Sequence, residues 1–383
     1  MRALVVVGAR PNFMKVAPVL AALRGAGWEA LLLHTGQHYD AAMSDAFFAD
    51  LSIPPPDFHL GVGSASHASQ TARIMEAFEP VLLATRPDWL VVVGDVNSTL
   101  ACALVAAKLK EETGCRTAHV EAGLRSHDWR MPEEVNRVLT DRLSDLLLTP
   151  GPDALPNLLA EGIPANRVAF VGNVMIDTLF AQLSRARAAD VPGRLGVERG
   201  RYALVTLHRP SNVDDPAALE NVLEALAAVA EEMPVVFPVH PRTRRRAEAA
   251  GLHAHLARLC VLEPLGYRDM LSLTDGAAVV LTDSGGLQEE TTALGVPCVT
   301  LRERTERPVT ITHGTNRLAP FPLTPSGVYG AFREALAAGR AEPGSRCPAG
   351  WDGRAAERIV HAMESASTPG RPPRRLTVAD FVS

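Results

Sequence analysis

The apolar residues of this chain fall into short unbroken runs separated by segments of helical spacing. ALVVV (3–7) is stopped by Gly8, FMKVAPVLAALRGAG carries apolar residues at helical intervals, and LLLHTG returns to strand character. The alternation persists in WLVVVGD (89–95), LACALVAAKLK and TAHVEAG. Strand, helix and strand in succession predict a parallel sheet with right-handed crossovers. The plan then restarts: YALVTLH (202–208) reads as a strand, LENVLEALAAVAEEM as a helix, and VVFPVH (235–240) as the next strand. AAVVLTDSGG (277–286) repeats the order of LVVVGDVNST (90–99), a buried strand, an aspartate, small polar residues and a helix. The expectation is an α/β chain of two similar units in tandem, with the boundary near GNVMIDTL (172–179).

A length of 383 residues allows two or three domains, and the repeat favours two. A hydrophobic fraction of 47% beside 21% charged residues describes a globular chain that can bury enough apolar surface to fold. The net charge of -5 provides no field that would gather polyphosphate, so nucleic acid is not expected as the partner. The five cysteines are far apart and lack CxxC spacing, so they read as reduced thiols, with no metal and no cofactor called for. No apolar stretch is long enough to span a bilayer, and the opening MRALVVVGARP lacks a signal-peptide core, which points to the cytoplasm. The Pro- and Arg-rich tail TPGRPPRRLTVADFVS reads as an extended end, and the run PRTRRR (241–246) as a solvated helix start.

In a parallel α/β sheet, side chains just beyond the carboxyl ends of strands face the ligand crevice. Those positions hold Arg10 and Lys15, Asp95, Glu121, His208, His240 and the SGG of 284–286. With two such units facing each other, both sets would line one interdomain cleft. Arg10 and Lys15 lie about a helical turn apart and suit a diphosphate or carboxylate, or are surface charge. GARPNF is not the GxGxxG dinucleotide fingerprint.

Ser284, Gly285 and Gly286 open a helix, where free amides and the helix dipole favour a phosphate, although a ligand-free turn would also use glycines. Two glutamates, Glu289 and Glu290, follow within about a turn, which is unexpected beside an anion. They are placed to accept hydrogen bonds from sugar hydroxyls, or they simply complement the dipole. In HVEAGLRSHDWRMPEEVNR (119–137), Glu121 ends a strand and Pro132 opens a helix carrying Glu133 and Glu134. Glu133 can pair with Arg137 at i,i+4. Alternatively, Asp95, Glu121 and Glu133 gather at one sheet edge, where mutual repulsion would let one carboxyl hold a proton while another acts as base. His208 faces them or binds phosphate, unless it is structural.

Taken together, GARPNFMKVAP, VVVGD, HVEAGLR, MPEEVNR, GNVMIDTL, TLHRPSN, FPVHPRT, LTDSGGLQEE and RERTERP resemble the non-hydrolysing UDP-N-acetylglucosamine 2-epimerases, in order, from residue 5 to about 317. The resemblance implies a GT-B fold with two Rossmann-like domains, residues 1–172 and 173–354, a C-terminal crossover at about 355–383 returning to the first, and a homodimer. It implies UDP-sugar contacts at Arg10, Lys15, Ser284, Gly285, Gly286, Glu290 and Arg307, with Glu290 on the ribose. Asp95, Glu121, Glu133 and His208 would be catalytic. The implied reaction is reversible C2 epimerisation of UDP-GlcNAc to UDP-ManNAc, by anti elimination of UDP to 2-acetamidoglucal and syn re-addition. Hydrolysis to ManNAc and UDP, or glycosyl transfer, are the alternatives. Many relatives read GTRPE and HRRE where this chain has GARPN and HRPSN, and the loop between Arg125 and Pro132 is shorter. Some members are activated by substrate at a second site containing a Gln-His pair. Gln37 and His38 match it, but no counterpart for its polar residues is found near 65–72, so activation is not expected.

Overall fold

A computed structural model describes residues 1–37, 50–51 and 53–367, the side chains of Arg10 and Pro11 excepted. The chain divides into two compact units, Met1–Thr178 with the chain from Ala349 onward, and Leu179–Pro348. Each is an α/β unit on one parallel sheet.

The first sheet contains β1 (Arg2–Val7), β2 (Glu29–His34), β3 (Phe58–His59), β4 (Trp89–Val93), β5 (Arg116–Val120), β6 (Leu146–Thr149) and β7 (Val168–Phe170). Their spatial order is β3-β2-β1-β4-β5-β6-β7. The second sheet contains β8 (Ala203–Thr206), β9 (Val235–Pro238), β10 (Cys260–Leu262), β11 (Val279–Thr282), β12 (Cys298–Thr300) and β13 (Asn316–Leu318), ordered β10-β9-β8-β11-β12-β13. Both orders run outward, return to the middle and continue on the other side, as in Rossmann-like sheets of the GT-B class. The strand order reverses between β1 and β4, and again between β8 and β11, so each sheet has a switch point there.

Central strands read as continuous apolar runs because helices cover both faces of a parallel sheet. Leu4, Val6, Leu90 and Val92 pack with Ile74 and Phe78 of the helix His67–Thr85. In the second unit Val205, Phe237 and Leu281 pack with Leu223 of the helix Pro216–Val229 and Phe332 of the helix Pro325–Ala338. The C-terminal helix Ala355–Ser367 belongs to the first unit, where the Asp177 carboxylate accepts from the amides of Ala355 (3.1 Å) and Ala356 (2.7 Å). Asp177 thus serves two of the orphan donors at that helix start from a distant part of the chain. Trp351 Nε1 donates to Pro150 O at 2.9 Å and fixes the approach to this helix. The PRTRRR run opens the helix Pro241–Ala249, with Arg242 and Arg246 paired to Asp214 and Arg244 to Glu263. His38 and the tail from residue 368 lie outside the described residues.

Candidate active site

At the first switch point, the helix Arg10–Gly25 starts just beyond β1. The Asn12 side chain braces that start, its Oδ1 accepting from Ala9 N at 3.2 Å and its Nδ2 donating to Val93 O at 2.8 Å. One turn later Lys15 is buried and forms an ion pair with Glu121, itself buried beyond β5. Gly94 makes room for this pair. It has φ +64°, and a Cβ there would stand 2.9 Å from Lys15 Nζ and 3.2 Å from Glu121 Oε2. Glu121 adopts φ +70°, a region that costs a residue with a side chain about 1–3 kcal/mol and that recurs at functional sites.

Asp95 follows Gly94 directly, and its carboxylate accepts from Arg137 Nη2 at 2.5 Å. Arg137 also pairs with Glu134, so the partner found for Arg137 on its own helix lies three residues before it. Glu134 is buried and collects the amides of Ser126 (3.0 Å) and His127 (2.8 Å), fixing the loop before the helix Pro132–Leu143. Burial alone would raise the Glu134 pKa, but those amides and Arg137 outweigh it and hold the group below its usual value. Glu133 is half-buried on the same first turn.

Beneath this edge His119 is fully buried, with Nδ1 2.6 Å from Asp141 Oδ1 and Nε2 2.8 Å from Gly94 O. Gln37 accepts from Ser98 N (3.0 Å) and Ser98 Oγ (2.7 Å) at the start of the helix Asn97–Lys108. In the 65–72 segment Gln70 donates to Gln37 O at 3.0 Å, and the His67 ring meets Asn97.

At the second switch point His208 lies just beyond β8 and Asp283 just beyond β11. Asp283 is fully buried and accepts from the amides of His208 (3.0 Å) and Arg209 (2.9 Å), while His208 Nδ1 lies 2.9 Å from its Oδ1. Burial by itself would push the Asp283 pKa up, yet the His208 contacts and the amides bring it below the normal carboxylate range. An ionised carboxylate at Nδ1 keeps a proton on that nitrogen and leaves Nε2 as the basic atom. The ring is 42% exposed, open to a ligand.

Ser284 precedes the helix Gly285–Leu294, whose first amides have no intrahelical acceptor. The Arg307 guanidinium lies over this start. A Cβ on Gly285 would be 2.6 Å from Arg307 Nη1, so the guanidinium packs directly against the bare backbone of this glycine. The two glutamates that follow this helix start have different fates. Glu289 pairs with Arg307 at 2.7 Å, and Glu290 is driven by burial, then by its charged neighbour Glu289, to a pKa of about 8 although Tyr267 opposes this. At neutral pH neither presents a free negative charge to an anion at the helix start.

Within the first unit, then, Lys15, Asp95 and Glu121 share the Gly94 turn, and Glu133 lies on the helix that secures Asp95. Within the second, Ser284, Gly285, Gly286, Glu290 and Arg307 share one helix start, with His208 tied to it through Asp283. The described part of Arg10 is its backbone, the first residue of its helix. Asp283 and His119 were not among the sequence candidates, and Glu134 was read only as part of a helix start. Asp283 had a signal, because it matches Asp95 in the internal repeat. Among the described residues no group of three His, Cys, Asp or Glu could hold a metal, and no helix is long and apolar enough to cross a membrane.

Residues 21–364 match the family model described as UDP-N-acetylglucosamine 2-epimerase. The chain is 42% identical over 326 residues to the UDP-N-acetylglucosamine 2-epimerase of Methanocaldococcus jannaschii, covering 83% of this chain and 88% of that one. It is 43% identical over 322 residues to the UDP-2,3-diacetamido-2,3-dideoxy-D-glucuronate 2-epimerase of Pseudomonas aeruginosa, with the same coverage of 83% and 88%. The crystal structure of the M. jannaschii UDP-GlcNAc 2-epimerase in complex with UDP-GlcNAc and UDP matches with a TM-score of 0.85 and 38% identity, across 95% of this chain and 99% of that one.

Proposed function

The chain belongs to the UDP-N-acetylglucosamine 2-epimerase family, and from that premise we propose that it interconverts UDP-GlcNAc and UDP-ManNAc at C2 without hydrolysis. It is an isomerase. The observation that carries the proposal is the buried Lys15–Glu121 pair packed against Gly94, with Asp95 next in the chain.

C2 is not adjacent to a carbonyl, so its proton is only weakly acidic. Departure of UDP therefore leads: the C1–O bond breaks toward the diphosphate, and the positive charge developing at C1 is stabilised by the carboxylates of Asp95, Glu121 and Glu133. One of these groups removes the C2 proton on the face opposite the leaving group, and the C1–C2 double bond of 2-acetamidoglucal forms. In the return step a proton is delivered to the other face of C2 while the diphosphate oxygen re-forms its bond to C1. Two faces require two proton-transfer groups. The amides of Gly285 and Gly286, with Ser284, Arg307 and Lys15, hold the diphosphate through both steps, and His208 Nε2 serves the reacting end. Arg10 contacts the nucleotide. Glu290, protonated at neutral pH, donates to the ribose. The reading includes a homodimer in the cytoplasm.

The test is UDP-GlcNAc incubated with the protein in D2O and followed by NMR. Deuterium at C2 of the product is expected, and a product that keeps its original C2 hydrogen overturns the mechanism. Free ManNAc accumulating with UDP would instead identify a hydrolysing enzyme. The 43% identity to the P. aeruginosa enzyme favours one second reading, in which the sugar carries a C3 acetamido group and a C6 carboxylate. Comparing kcat/KM for the two UDP-sugars decides between them.

A further inference from the structure

The second unit carries a cationic hollow on the amino-terminal edge of its sheet, the edge opposite His208 and Ser284. Asp275 ends the helix Tyr267–Gly276 just before β11 and is buried, 1% exposed. Three guanidinium groups from separate parts of the chain converge on it. Arg187 contacts it with Nε and Nη2 at 3.0 Å each, Arg340 with Nη2 at 3.1 Å, and Arg199 pairs with its Oδ2. These arginines, with Asp190 and Pro343, line a hollow of about 410 Å3.

One aspartate does not neutralise three arginines. Counting Asp190, the lining holds three positive charges against two negative. Asp275 is spent as a buried anchor that points the guanidinium groups toward one another; Arg340, 36% exposed, also donates to Asp275 O and Leu294 O, while Arg187 and Arg199 stay 50% and 40% exposed and keep donors that Asp275 does not use. The donors left over arrive from separate directions, which suits a phosphate group, whose several charged oxygens can each accept from a different guanidinium.

We propose that this hollow binds the phosphate group of a small phosphorylated molecule, at a site separate from the helix start of Gly285–Leu294. Asp190 limits the affinity, since it adds a negative charge to the rim.

Calorimetric titration of the full-length protein with inorganic phosphate and with pyrophosphate, ionic strength held constant with sodium chloride, tests this. Saturable binding of one or both is expected, with the tighter of the two showing whether the natural ligand presents one phosphate or two. Arg187→Ala and Arg199→Ala should each weaken binding by about tenfold or more, the loss of a charge-assisted contact. Asp190→Asn should strengthen it, and because asparagine also caps helices and tolerates a positive φ, this variant keeps the test open if an arginine variant unfolds. Absence of saturable heat with both anions overturns the proposal. So does binding that survives the arginine variants but disappears in Arg307→Ala, which would place the anion at the nucleotide site.

Discussion

Replacing His119 with glutamine tests the electrostatics beneath the Gly94 turn. Both ring nitrogens face acceptors: Asp141 Oδ1 at 2.6 Å and Gly94 O at 2.8 Å. Asp141 is ionised. Burial pushes its pKa up, but His119, Arg125 and their hydrogen bonds prevail and lower it. It also accepts from Gly123 N at 3.0 Å and pairs with Arg125 at 2.8 Å. Removing a hydrogen-bond partner from a buried charged group costs about 1.5–3 kcal/mol, and because Arg125 and Gly123 N remain on Asp141 the expected loss is about 2 kcal/mol. That is a large share of the 5–15 kcal/mol typical of a folded chain. Urea unfolding of His119→Gln should shift by this amount, and turnover should fall more than KM changes, because Gly94 loses the anchor that sets Asp95. A glutamine variant within about 0.5 kcal/mol of the parent and with normal turnover would refute the reasoning.

Glu290 is held protonated by burial, with a folded pKa of about 8 against 4.5 for the free group. Between those values the folded state binds more protons than the unfolded, so its contribution falls as pH rises from about 4.5 to 8 and levels off above; Glu290→Gln should abolish a few kcal/mol of that slope in unfolding measured against pH. Asp283→Asn removes the charge that holds His208 by Nδ1, and kcat should drop by about 10² to 10⁴ with KM little changed, as measured by steady-state kinetics. Gly94→Ala adds a Cβ at φ +64°, 2.9 Å from Lys15 Nζ, and should cost about 1–3 kcal/mol in denaturant unfolding while disabling turnover.

The alternating plan was legible because strands covered on both faces must be apolar throughout, as β1 and β4 are, and because the chain states the plan twice. The strand-end candidates followed from that plan, since β4 delivers Asp95, β5 Glu121 and β8 His208 to carboxyl edges. The pattern failed on the helix Pro132–Leu143. There Glu134, Arg137 and Asp141, spaced at helical intervals, are buried, while Leu139 is 45% exposed. Reading apolar residues as inward and charges as outward inverts this helix. Glu133 and Glu134 differ by about 100° around its axis, so adjacency in sequence could not say which would secure Arg137. The inversion has a physical reason. Positioning Asp95 and the Gly94 turn requires rigid charge-assisted hydrogen bonds, and such bonds are strongest where water is excluded. A helix serving that purpose must turn its charged stripe inward and satisfy every member of it, as Arg137 does for Glu134 and Asp95 and as His119 and Arg125 do for Asp141. Departure from the usual amphipathic rule here falls beside the proposed site, where the placement of a neighbouring group can repay the desolvation of an inward charged stripe.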